Sequence, residues 1–146
     1  NTFAIVAFQP LVLKLIANYS KYSALIAVAI IWALSWLAVG ISPYLSMFMA
    51  GIALCVSQLI FAFGEMVHAP TSPALTQELA PEHIRGRASA LTSLQWGISG
   101  IAGPAVAGLM IGANLEQLWV FTMAIGVLAP IPLFAYLKRT TEKAKK

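Results

Sequence analysis

The sequence predicts an all-α integral membrane protein with about five transmembrane helices. Of its 146 residues, 60% are apolar and only 10% are charged, and the mean hydropathy is +0.83. A soluble domain carries roughly 25% charged residues. Long charge-free runs also exceed the ~20 residues that a helix needs to cross ~30 Å of hydrocarbon. The lipid bilayer is therefore the first partner that the chain implies.

Span limits fall at polar and proline-containing points, because unpaired backbone groups are not tolerated in hydrocarbon. The first span covers residues 2–17 and leads into the polar stretch from Asn18 to Ser23. The second covers 24–41 and is closed by a tight turn at Ser42 and Pro43. The third covers 44–74; it is apolar from Tyr44 to Phe63, and its helical pattern continues past Glu65. A charged loop follows from Gln77 to Arg87, carrying Arg85, Gly86 and Arg87 after the breaker Pro81. The fourth, glycine-rich span covers 88–111. A turn from Gly112 to Glu116 precedes the fifth, 117–137, and a basic tail occupies 138–146. The opening NTFAIVAFQP has neither an initiator Met nor the pattern of a signal peptide, and reads as a cut within a longer chain.

Orientation follows from Lys and Arg, which enrich short cytoplasmic loops. Lys14 and Lys21 flank the first connection, Arg85 and Arg87 lie in the third, and Lys138, Arg139, Lys143, Lys145 and Lys146 lie in the tail. All nine fall on one side, so the C-terminus is expected in the cytoplasm, most simply of a bacterial inner membrane. The net charge of +4 is scattered between apolar spans and forms no nucleic-acid patch. A single cysteine, Cys55, gives neither a disulfide framework nor a metal-ligand set. With no Ser/His/Asp set, no HExxH and no Walker A loop, no enzyme, cofactor, metal or direct use of ATP is expected.

The second and fifth spans contain almost nothing polar beyond Ser35 and Thr122, with Trp32, Trp36, Trp119 and Tyr136 as interface anchors. Such helices suit lipid. On the third span Gln58, Glu65, His68 and Ser72 stand 7, 3 and 4 residues apart, so at ~100° per residue they share one face. On the fourth, Thr92, Gln95, Trp96, Ser99 and Gly103 form a polar face. Gly97, Gly100, Pro104 and Gly108 form its small flank, where another backbone can approach closely and Pro104 should kink or loosen the helix. Glu65 is the most informative residue, since an intramembrane carboxylate is costly and marks an ion or substrate path. His68, one turn away, can share or relay its proton. The alternative ends the span near Phe63 and leaves Glu65 and His68 as a solvated interfacial pair. Gln95, Trp96 and Gln9 are candidates for substrate contact, and Lys14 snorkels.

The stretch GEMVHAPTSPALTQELAPEHIRGRASALTSLQWGISGIAGPAVAG, Gly64 to Gly108, resembles helix 10, its following loop and helix 11 of the major facilitator superfamily. The Gly-Glu pair, the loop LAPEHIRGRASAL and the GxxGxxGPxxxG helix arrive in that family's order. The resemblance implies that the five spans are helices 8 to 12 of a 12-helix fold, in which two six-helix halves alternate access to a central cavity. Helices 9 and 12 of that fold face lipid. Gly100, Gly103, Pro104 and Gly108 are similar to the Gly- and Pro-rich motif of the antiporter branch. The connection LKLIANYSKYSAL keeps only Lys14 and Lys21 of the family's basic turn, with no Asp and no Gly.

The expected function is secondary transport, with drugs or other small organic molecules exported against protons. The expected partners are a small-molecule substrate, protons and the N-terminal half of the same carrier. Uptake of a sugar, peptide or organic acid is the alternative within transport. A non-transporting membrane scaffold or anchor subunit is the alternative outside it.

Overall fold

The computed structural model describes residues 1–144, so Lys145 and Lys146 of the expected tail lie outside the described residues. Six helices follow one another: α1 (Thr2–Ile16), α2 (Lys21–Ile41), α3 (Met47–Leu79), α4 (Arg85–Gly112), α5 (Glu116–Leu128) and α6 (Ile131–Ala144). Single 3-10 turns at Ser42–Tyr44 and Glu82–Ile84 join α2 to α3 and α3 to α4. Among the described residues there is no strand. Four helical stretches are long and apolar enough to cross a membrane: Lys21–Tyr44, Met47–Leu79, Glu82–Gly112 and Glu116–Thr141. α1 is apolar but shorter; its 15 residues reach about 22 Å at 1.5 Å per residue.

Several limits differ from the sequence expectation, each for a local reason. α2 starts at Lys21 rather than 24 because Ser20, in extended conformation, accepts a hydrogen bond from the Ser23 amide at 3.2 Å and caps the helix. α3 runs on through Pro70 and Pro73 to Leu79, and α4 begins at Arg85. The expected loop from Gln77 to Arg87 therefore shrinks to the segment around Pro81, and Arg85, Gly86 and Arg87 form the first turn of α4. The fifth span is two helices, broken at Ala129 and Pro130, where Pro130 has no amide to donate. α6 then carries helix through residues 138–144, which were expected to be tail. Between α4 and α5, Asn114 adopts φ 57, the left-handed conformation that Asn tolerates better than branched residues.

The packing centres on α2. It runs antiparallel to α3: Lys21 reaches Glu78 at one end, Trp32 lies against Gly64 midway, and Ser35 donates to the Ser57 carbonyl at 2.9 Å further along. It also runs antiparallel to α5 and α6, with Lys138 donating to Ser23 at 2.8 Å and Gly40 facing Val120. One core cluster joins Val12, Ala24, Val28, Met66 and Val67 from α1, α2 and α3. A second joins Tyr22, Leu25 and Leu75, with Phe134 and Leu137 of α6 packed against it. This corrects the expectation that the second span is simply a lipid-facing helix. α2 exposes Ile30, Leu34, Leu37 and Ile41 on one face and buries Leu25, Val28, Ala29, Ala33 and Ser35 on the other. The alanines let α3 and α5 approach closely.

By contrast, α4 buries none of its residues. It touches α3 and α5 lightly, and Trp96 is 64% exposed. Nothing lies within 4 Å of where a Cβ would stand on Gly97, Gly100, Gly103 or Gly108. The helix stays unbroken through Pro104, although the missing amide leaves the Gly100 carbonyl without its helical donor.

Candidate functional site

The polar residues of α3 are held at the middle of the bundle. α2 spans 21 residues, about 31 Å or one hydrocarbon thickness, and its midpoint lies opposite Gly64 to His68. There the Trp32 indole sits on Gly64 and donates its N–H to the Phe61 carbonyl at 3.2 Å. Its ring stacks on Phe61 at 5.3 Å and 16°, and meets the His68 ring tilted, at 5.1 Å and 41°. Glu65 and His68 thus lie level with the centre of α2, not with either of its ends.

Glu65 points toward α1, where the Asn1 side chain donates to Oε2 at 2.8 Å. His68 turns the other way. With Ser72 of α3 and Gln95 of α4 it lines a half-open cavity of about 310 Å³, whose walls include Trp32, Pro130 and Phe134. The side chains of His68, Ser72 and Gln95 make no hydrogen bond among the described residues, so each keeps donor and acceptor capacity directed at one space. The walls are otherwise apolar, from Leu25, Val28 and Ala29 of α2 and Val127 of α5. Such a cavity suits a small organic molecule with a few polar groups.

The other expected residues distribute as follows. Gln58 is exposed two turns from Glu65, and Trp96 is exposed on α4 beside Gln95. Neither reaches the cavity. Gln9, expected as a substrate contact, donates instead to the Met66 carbonyl at 3.0 Å. Arg85 donates from Nε to the Ala80 carbonyl at 3.3 Å and closes the α3–α4 connection. Thr92 bonds its own helix at Ala88, 3.1 Å away. Trp32, read from sequence as an interface anchor, is the aromatic centre of the site. The signal that could have revealed it is its place in the middle of α2.

At the opposite pole from the turns at Ser42–Tyr44 and Asn114, Lys21 and Lys138 come together at one end of the bundle. Lys21 bonds Glu78 at 2.5 Å, and a cavity of about 280 Å³ there is lined by Tyr19, Lys21, Glu78, Lys138 and Thr141. Long apolar helices with a charged end define a polytopic helical membrane protein.

The chain belongs to the Major Facilitator Superfamily, whose family model matches residues 1–146. It is accordingly integral to the membrane and part of a transporter of small solutes. Comparison with curated proteins and with solved structures returns no match.

Proposed function

We propose that the chain is helices 8 to 12 of a proton-coupled efflux carrier for drugs or other small organic molecules. The observation that carries this reading is the position of Glu65 and His68, one turn apart on α3 and level with the middle of α2. A carboxyl at mid-depth is costly unless it serves a path. It can hold a proton where the path opens to one side and lose it where the path opens to the other. His68 turns from that carboxyl toward the cavity shared with Gln95, which links proton binding to the space for substrate.

Alternating access then moves this bundle against the N-terminal half of the carrier. The open faces of α4 support that partner, since its small flank from Gly97 to Gly108 meets nothing among the described residues. The meeting of Lys21 and Lys138 at one end of the bundle supports a cytoplasmic C-terminus, here in a bacterial inner membrane.

The test is transport by the full-length protein in inside-out vesicles. A proton gradient, acid inside, is expected to drive accumulation of a fluorescent lipophilic cation, and a protonophore is expected to abolish it. Gradient-driven movement of a sugar, peptide or organic acid in the uptake direction would replace efflux with import. No gradient-driven flux of any solute would end the transport reading.

A further inference from the structure

The Trp32 indole meets α3 in three ways at once. Its N–H reaches the Phe61 carbonyl, which in an α-helix already accepts from the amide of Glu65. Its ring lies on Gly64, where a Cβ would collide with Nε1, so only glycine permits the approach. Its faces meet Phe61 and His68, seven residues apart on the same side of α3.

We propose that Trp32 is a positioning residue, which fixes the α3 turn from Phe61 to Glu65 and the His68 ring in one mutual geometry. Its consequence for transport rests on the proton-coupled reading above. The close approach is made by the glycine of the Gly64-Glu65 pair itself, so the residue beside the carboxyl serves to admit the indole. Glu65, one turn away on α3, is the charged side chain that acts electrostatically on His68. The rest of the cavity that His68 lines is made by Ser72, Gln95, Trp32, Pro130, Phe134 and aliphatic residues. The state of the His68 ring therefore depends on Glu65 and on the indole, with no other charge near it among the described residues. A tryptophan serving only to fill space would stabilise the bundle without setting how His68 titrates.

The experiment follows the His68 ring by NMR in the full-length protein labelled with ¹⁵N-histidine, its signal assigned by its loss in His68→Gln. Trp32→Leu removes ring and N–H, and Gly64→Ala pushes the indole off α3. Each is expected to move the titration midpoint of His68 by about half a pH unit, the size of one aromatic contact. Trp32→Phe keeps a ring over His68 and is expected to restore most of the wild-type midpoint. The double variant Trp32→Leu/Gly64→Ala is expected to shift no further than either single, because both remove the same contact. An unchanged midpoint in folded Trp32→Leu overturns the proposal. Should that variant fail to fold, Gly64→Ala decides alone: an unchanged midpoint there overturns it equally. The titration is read without transport, so a wild-type protein lacking gradient-driven flux would end the carrier reading and leave the role of Trp32 to be decided by the ring.

Discussion

Gln9 on α1 donates its side-chain amide to the Met66 carbonyl on α3, 3.0 Å away. In an unbroken helix that carbonyl would accept from residue 70, but residue 70 is proline and has no amide. Gln9 thus supplies from a neighbouring helix the donor that Pro70 removes, as membrane helices require. Gln9→Leu is expected to lower stability by about 1 kcal/mol. Pro70→Ala returns the amide to α3, so the double variant Gln9→Leu/Pro70→Ala should recover most of the loss. Reversible unfolding in mixed micelles measures both; equal losses in the single and double variants would sever the link.

Gly40 on α2 marks the contact with α5. A Cβ there would stand 3.1 Å from Cγ1 of Val120, so the helices meet with almost no spare room. Gly40→Leu is expected to cost about 1–3 kcal/mol through overpacking. Gly100→Leu, on the open flank of α4, should leave the unfolding of the bundle within about 0.5 kcal/mol of wild type unless the N-terminal half packs there. In the full-length protein, a clear loss from Gly100→Leu thus reports the interface between the halves.

At Asn114 the chain turns back with φ 57. Asn114→Gly is expected to stay within about 0.5 kcal/mol of wild type, whereas Asn114→Val should cost about 1–2 kcal/mol because the branched side chain opposes that conformation. Thermal unfolding of the two variants separates a backbone demand from a side-chain role. Equal midpoints would show that the turn makes no such demand.

Helical segments were legible because hydrocarbon sorts residues strongly: the apolar runs 2–17 and 24–41 overlap the helices α1 and α2. The spacing of Glu65, His68 and Ser72 predicted a shared face; His68 and Ser72 line one cavity, whereas Glu65 points toward α1. What composition could not express was which apolar face of α2 meets protein. Leu25 is buried and Leu34 exposed, yet both are leucine, since lipid and a packed neighbour present much the same environment. Trp32 was hidden for the same reason, because a tryptophan serves equally at a headgroup or against Gly64. The role of Gln9 depends on Pro70, 61 residues away in sequence, and only the packing of α1 on α3 brings them together.

Trp96 offers a separate test of the open face of α4. It is 64% exposed and holds nothing in this chain together, so Trp96→Ala should leave unfolding unchanged to within about 0.5 kcal/mol. Transport by the full-length protein is nevertheless expected to fall about fivefold, the loss of one aromatic contact to substrate or to the opposing half. Unchanged flux would make Trp96 a lipid-facing residue.

The proposed coupling puts the transported proton on Glu65, and uphill and exchange fluxes of Glu65→Gln in vesicles decide whether it does. Accumulation driven by a proton gradient should disappear in Glu65→Gln, while exchange of substrate across equal proton concentrations, which needs no net proton movement, should persist. Gradient-driven accumulation at the wild-type rate in Glu65→Gln would contradict the account.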